Sequence, residues 1–160
     1  MLEIVRLTPD DATRFKALRL AALEESPDAF GSVLQDAIGR ADAVWAEQVR
    51  GMPTFAAVSE GQDVGVARTS LVEPARAQLF SMWVHPAARG KGAGRALVRA
   101  VIEWSAAHGA RQLTLEVEAG NQPAIALYRA LGFVATGHTA PFPAPRQHLT
   151  EMQMRLELPA

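Results

Sequence analysis

The chain predicts a single α/β domain, one sheet of about seven strands with helices on its faces. Two observations carry this. Stretches with strand alternation interleave with stretches at helical spacing, in the order strand, two helices, three strands, helix, strand, helix, two strands. No repeat, linker or low-complexity segment divides the 160 residues, a length that buries one core without staples, so residues 1–160 form one domain.

Each element has a local cause. Residues 2–7 read as a strand. Thr8-Pro9-Asp10-Asp11 then opens a helix, with Thr8 as N-cap, Pro9 at the first helical position and acids in the first turn. Phe15, Leu18, Ala22 and Leu23 form one apolar stripe on it, and the stretch 26–31 breaks it. A second helix is expected over about residues 40–50, with Val44, Trp45 and Val49 on its buried side. Strands at 54–58 and 64–72 flank the turn signal Glu60-Gly61-Gln62-Asp63. The segment 79–84 is apolar on both faces, as a central strand is. A helix over 95–108 ends at Gly109, a strand at 113–118 follows, and a helix over 122–131 ends at Gly132. Strands are expected at 133–137 and around Met152–Leu158. Pro141, Pro143 and Pro145 keep the stretch between them out of helix and inner strand.

Composition narrows the function. A net charge of −1 and scattered Arg residues give no reason to expect nucleic acid. The absence of cysteine excludes disulfides, thiolate zinc sites and a cysteine acyl-enzyme. The four histidines lack metal-ligand spacing, so no metal is expected. There is no signal-peptide pattern at the N-terminus and no membrane-length apolar run, which makes the cytoplasm the expected location and a membrane partner unexpected.

The chemistry starts where the strand 79–84 runs into Arg89-Gly90-Lys91-Gly92-Ala93-Gly94-Arg95 and then a helix. Glycines at 90, 92 and 94 keep Cβ atoms off the backbone, so an anion can reach its N–H groups. The helix N-terminus adds free donors and about half an elementary charge, and Arg89, Lys91 and Arg95 add full charges. The unit suits a pyrophosphate. Walker A is excluded because Gly92, not Ser or Thr, follows Lys91. The dinucleotide fingerprint fails too, since its third glycine falls on Arg95 or Leu97.

The pattern Arg89-x-x-Gly92-x-Gly94 resembles that of the GNAT superfamily of acyl-CoA-dependent N-acetyltransferases. A second stretch, Asn121-Gln122-Pro123-Ala124-Ile125-Ala126-Leu127-Tyr128-Arg129-Ala130-Leu131-Gly132-Phe133, is similar to that family's other signature, in the right order and with a helix and a strand between the two. The resemblance covers the whole chain. It implies a largely antiparallel, twisted sheet with a splayed central strand pair, and acetyl-CoA as co-substrate. It implies transfer to a primary amine, and with no cysteine in the chain direct transfer in a ternary complex is the simplest mechanism.

The resemblance also assigns roles. Tyr128, the only tyrosine, falls on the general-acid position, against the alternative of a core aromatic with a satisfied hydroxyl. Asn121 holds the pantetheine arm, caps the helix, or does both. Met82, Trp83 and Val84 offer backbone amides to the thioester and pantetheine. The family's usual base positions fall on Gln78 and Phe80, neither of which takes a proton. Leu115-Glu116-Val117, with Tyr128 twelve residues past Glu116, resembles bacterial enzymes that acetylate ribosomal-protein N-termini, which makes Glu116 the candidate base ahead of Glu118 and His138.

The acceptor is expected between the first helix pair and the loop at 139–147, where Glu24, Glu25 and Asp28 are available to an ammonium group and the prolines with Phe142 to an apolar rim. A small amine, an antibiotic, an amino acid and a peptide N-terminus all suit it. A non-catalytic acetyl-CoA-binding module is the alternative. The even alternation from Met152 to Leu158 also allows a homodimer by sheet extension.

Overall fold

A computed structural model describes residues 1–30 and 32–159. Seven strands form one sheet in the order β1-β2-β3-β4-β5-β7-β6. They are β1 (Leu2–Arg6), β2 (Thr54–Ser59), β3 (Gln62–Glu73), β4 (Arg76–Val84), β5 (Gln112–Glu118), β6 (Val134–Pro141) and β7 (Thr150–Glu157). Every pairing is antiparallel except β4 with β5. That exception follows from connectivity: β4 and β5 are joined by a helix that crosses the sheet, and such a crossover brings strands back parallel.

The helices are α1 (Ala12–Glu25), α2 (Leu34–Ile38), α3 (Asp42–Gly51), α4 (Ala93–Ala107) and α5 (Gln122–Ala130). Two cores flank the sheet. Leu97, Val98 and Val101 of α4 and Ile125 and Tyr128 of α5 pack on Leu79, Leu113, Leu115 and Met154 on one face. Phe15, Leu18 and Leu23 of α1 and Trp45 and Val49 of α3 pack on Ala56, Val66 and Trp83 on the other. The sheet is therefore covered on both faces.

Thr8 does not cap α1 directly. Its backbone N–H donates to the Asp11 carboxylate at 2.9 Å, which closes a 3-10 turn over Pro9–Asp11 before α1 begins. Proline and two acids suit a first turn, and the chain takes the tighter version. Val44 is 42% exposed, contrary to the expected buried stripe, while Trp45 and Val49 are 1% and 4% exposed. An i, i+4 pair defines the buried line of α3, and Val44 lies about 100° away from it. The short helix α2 was not anticipated; five residues are too few to show a period. The β2–β3 turn is only Glu60-Gly61, since Ser59 pairs with Gln62.

Two features of β4 position the site. Arg76–Leu79 pair with Gln112–Leu115, and beyond Leu79 no pairing with β5 continues, so the strands splay from Phe80 onward. A bulge also interrupts β4. Val66 pairs with Trp83 but Arg68 with Phe80, so Ser81 and Met82 together face the single residue Ala67. Ser81 takes φ 55° there. The extra residue inverts the alternation. Ala77 and Leu79 face the α4/α5 core before it, Met82 and Val84 face that core after it, and Trp83 turns to the opposite core.

The strand β7 lies between β5 and β6, so both its edges are occupied. Its alternation reflects burial against α5 and not a free edge, and a dimer by extension from β7 is excluded. The sheet's outer strands are β1 and β6.

Candidate active site

A cavity of about 840 Å³ opens at the splay. Its walls come from Met82, Trp83 and Val84 of β4, from Arg89, Gly90, Gly92, Gly94 and Arg95 of the loop and α4, and from Asn121 and Tyr128. Ten residues that the sequence offers for donor binding or as the general acid thus meet around one space. Lys91 and Ala93 do not line it: Lys91 is exposed and Ala93 buried beneath the loop. Glu25 and Asp28, expected beside the acceptor, and Glu118, placed behind Glu116 as base, line it as well, together with Pro27, Ala29 and Phe30, which nothing in the sequence singles out.

The loop is shaped by two glycines. Gly92, the residue before α4, sits at φ 92°, where an L side chain is strained. At Gly94, a Cβ would approach Leu127 Cδ2 to 3.1 Å and Met82 Cε to 3.2 Å, so glycine lets α4 close on α5 and β4. Among the described residues nothing accepts from the amides of Gly90, Lys91 and Gly92. Together with the N–H groups of the first turn of α4, they form a cradle of free donors of the kind an anion can occupy.

The three charges divide their work. Arg89 does not point its charge freely at that cradle. Its Nε donates to the Val84 carbonyl at 2.9 Å and its Nη2 to Glu25 Oε1 at 2.6 Å. The same oxygen accepts from Trp83 Nε1 at 3.0 Å and from the Ser26 hydroxyl. Hydrogen bonds from Ser26, then Trp83, then Arg89 hold the Glu25 carboxyl below its usual range, against the opposing effect of burial. Glu25 thereby ties the end of α1 to the splayed strand and the loop. Lys91 and Arg95 pair with no described carboxylate and supply the uncommitted charge.

Tyr128 is 5% exposed and its ring meets Phe133 edge-on at 5.8 Å. Its hydroxyl is hydrogen-bonded to no described residue, although the side chain borders the cavity. The hydroxyl opens to the cavity, where a bound molecule can reach it. Burial pushes the phenol pKa up, so the group stays protonated throughout the physiological range. Asn121 caps α5 by accepting from the Ala124 amide at 3.3 Å, and its side chain also faces the cavity.

The carboxylates fall differently from expectation. Glu118 lines the cavity, while Glu116 is exposed and lies outside its wall. Both sit on the sheet face opposite Leu115 and Val117. Glu116 pairs in register with Gln153 and Glu118 with Glu151, which makes Glu116 and Glu151 diagonal neighbours on that face. Burial, then the charge and hydrogen bond of Glu116, push Glu151 up to about 6. A carboxyl raised on folding favours the folded state while protonated, and loses that contribution as pH rises from its ordinary value through 6. Glu151→Gln should therefore raise the melting temperature over the native chain more at pH 7.5 than at pH 4.5, as thermal melts at the two values will show. An equal difference at both would mean that Glu151 does not titrate in this window.

The acceptor rim is also redrawn. Pro141, Phe142, Pro143 and Pro145 do not line the cavity, and Phe142 is buried at 3% exposure. The loop instead braces the wall from behind. Arg146 donates to the carbonyls of Pro27 and Ser32, the latter at 3.3 Å. Of the break after α1, Pro27–Ala29 form a 3-10 turn, and Gly31 lies outside the described residues. His138 is exposed on β6 and borders no part of the cavity. Among the described residues no three acidic or histidine side chains gather to hold a metal, and no helix is long and apolar enough to cross a membrane.

Comparison with known proteins agrees with this geometry. Residues 17–133 match the acetyltransferase (GNAT) family. A mycothiol acetyltransferase of Corynebacterium glutamicum is 46% identical over 41% of this chain, which spans only 23% of that protein's length. An aminoglycoside N(6')-acetyltransferase of Stenotrophomonas maltophilia is 29% identical over 89% of this chain and 92% of its own. The solved ribosomal-protein-alanine N-acetyltransferase of Brucella melitensis superposes with a TM-score of 0.79 at 29% identity, covering 98% of this chain and 99% of that one. A Salmonella typhimurium protein solved with its cofactor acetyl-CoA superposes with a TM-score of 0.80 at 24% identity, covering 100% and 95%. With its two signatures, its splayed strand pair and a family match over most of its length, the chain belongs to the acetyltransferase (GNAT) family.

Proposed function

We propose that the protein transfers the acetyl group of acetyl-CoA to a primary amine by direct attack in a ternary complex. The observation that carries this is the cavity at the splay. One wall is the anion cradle at Gly90–Arg95, and another presents a tyrosine hydroxyl with no partner. That combination suits a pyrophosphate at one end and a thiolate leaving group at the other. The relatives that carry acetyl-CoA or acetylate amines, by their names, support the same reading.

The roles follow from placement. The cradle, with Lys91 and Arg95, holds the pyrophosphate. Asn121 and the free edge of β4 at Met82, Trp83 and Val84 hold the pantetheine, and the amides of that edge stabilise the developing oxyanion. The acceptor nitrogen forms a bond to the thioester carbon as the carbon–sulfur bond breaks. Tyr128 gives its proton to the departing sulfur. The proton lost by the amine passes to Glu116, through water and past Glu118 at the cavity wall. An amine of pKa about 10.4 needs such a base, because its neutral form is scarce at pH 7.

A panel of amines incubated with acetyl-CoA, with free thiol measured, tests the activity. Thiol release that depends on an amine supports the enzyme; tight acetyl-CoA binding with no amine-dependent release would identify a binding module instead. The loop has its own test. Gly92→Val forces a β-branched residue into positive φ, at about 1–2 kcal/mol or more, and distorts the cradle. Acetyl-CoA affinity measured by calorimetry should fall at least tenfold, and unchanged affinity would remove the loop from donor binding.

A further inference from the structure

Three guanidinium groups gather on the α1/α3 side of the sheet with no acid among them. Arg19, on the buried face of α1, is 7% exposed and lies over the Phe30 ring at 4.6 Å. Arg68, on β3, lies over Phe15 at 4.7 Å and donates to the Thr54 hydroxyl at 3.1 Å and the Gln48 carbonyl at 2.6 Å. Arg40, just before α3, lies over Trp45 at 5.2 Å. The nearby carboxylates are engaged elsewhere: Asp63 with Arg14, Asp42 with Lys16, Glu47 with Arg50.

Arg19 has no hydrogen-bond acceptor among the described residues, and its Nη1 is sealed from solvent. The Trp45 indole N–H is also buried and unpartnered. Burial, then repulsion from Arg68 and Arg40, push the Arg19 pKa down to about 10. Burial, then Arg40, push Arg68 down to the same value. Aromatic faces return only part of the hydration that a buried guanidinium gives up. Arg19 Nη1 and Trp45 Nε1 are thus buried donors without an acceptor beside a cluster of positive charge that no carboxylate offsets, and an anion would supply both the acceptor and the charge.

Its position says which anion. Phe30, whose ring lies against Arg19, is itself a wall of the cavity. Arg68 pairs in register with Phe80, the residue at which β4 leaves β5. Arg19 therefore lies directly behind a ring of the cavity wall, and Arg68 beside the start of the splay, although neither guanidinium itself lines the cavity.

We propose that Arg19 and Arg68 form a recognition site for an anionic group, a carboxylate or a phosphate, carried by the acceptor a few bonds from its amine. The acceptor is then a small amino acid-like or phosphorylated amine. The anion displaces Phe30 from the Arg19 guanidinium, whose planar fork takes two oxygens at once, and the amine is left facing the splay. This inference rests on the N-acetyltransferase reading.

Matched acceptors test it: methionine against 3-(methylthio)propylamine, and O-phosphoethanolamine against ethanolamine, each with saturating acetyl-CoA. The anionic member of at least one pair should have a kcat/KM at least tenfold higher, and the pair that shows it tells carboxylate from phosphate. Arg19→Met should bring that ratio to within twofold, and Arg19→Lys should lower it while keeping the charge. Equal use of both members of each pair by the native protein overturns the proposal, as does an unchanged ratio in Arg19→Met.

Thermal melts separate this from the enzyme reading. Methionine or inorganic phosphate should raise the melting temperature of the native protein but not of Arg19→Met, and the variant should melt higher than the native protein without them. An Arg19-dependent shift with no amine acetylated would leave the anion site standing without the activity. Acetylation with no anion preference and no shift would leave the activity without the site.

Discussion

Tyr128→Phe should lower kcat by about 10²–10⁴-fold, the range general acid catalysis contributes, while acetyl-CoA affinity stays within about threefold. The split follows from where the hydroxyl stands. It makes no hydrogen bond to a described residue, so its removal breaks no contact in the resting fold. The ring keeps its edge-on contact with Phe133 and its place in the α4/α5 core. What is lost is a proton donor that burial keeps protonated, opposite a leaving thiolate whose parent thiol has a pKa of about 8.5. A weak donor facing a moderately basic leaving group matters most as the carbon–sulfur bond breaks, so the deficit belongs in kcat. Calorimetry for affinity and thiol release for kcat read the two quantities separately. A kcat unchanged across pH would show that the thiolate leaves unaided, and a large loss of affinity would make Tyr128 a binding residue.

The parts of this site that were legible in the sequence are those fixed by local chemistry. Glycines at 90, 92 and 94 before an apolar helix announce exposed amides, because spacing alone sets that geometry. Asn121 reads as a cap for the same reason, and it is one. The fold class was legible because its periods are long and regular, and the β4–β5 crossover makes that pair parallel without further information. What was hidden depends on contacts between distant segments. The Glu25–Arg89 pair spans 64 positions, and neither residue announces the other. The bulge at Ser81–Met82 left no turn residue in the sequence, since serine takes its positive φ without a glycine. It decides that Trp83 faces α1 and Met82 faces α4, which alternation counted straight through the strand would invert. The place of β7 inside the sheet was equally hidden, because an alternating strand looks the same at an edge and one strand in. The arginine cluster is assembled from α1, β3 and the turn before α3, with no two members near each other in the chain.

The second large effect concerns the base, and the carboxylates on β5 and β7 separate its alternatives. Glu116→Gln should lower kcat/KM by about 10²-fold or more at pH 7 and flatten the acidic limb of the rate profile. Its diagonal neighbour Glu151 is raised to about 6 by burial and then by the charge and hydrogen bond of Glu116. Glu151→Gln removes one member of this pair without removing the base, so it should leave the plateau nearly intact. Glu118→Gln is the discriminating variant, since Glu118 lines the cavity and Glu116 does not. If the proton travels to Glu116 through water, Glu118→Gln changes KM for the amine more than it changes the limb. If instead the limb disappears in Glu118→Gln and survives in Glu116→Gln, the base is the carboxylate at the cavity wall, and the likeness at Leu115-Glu116-Val117 marks a neighbour of the base. The comparison needs an amine whose own pKa lies well outside the range measured, so that the limb reports the enzyme and not the acceptor.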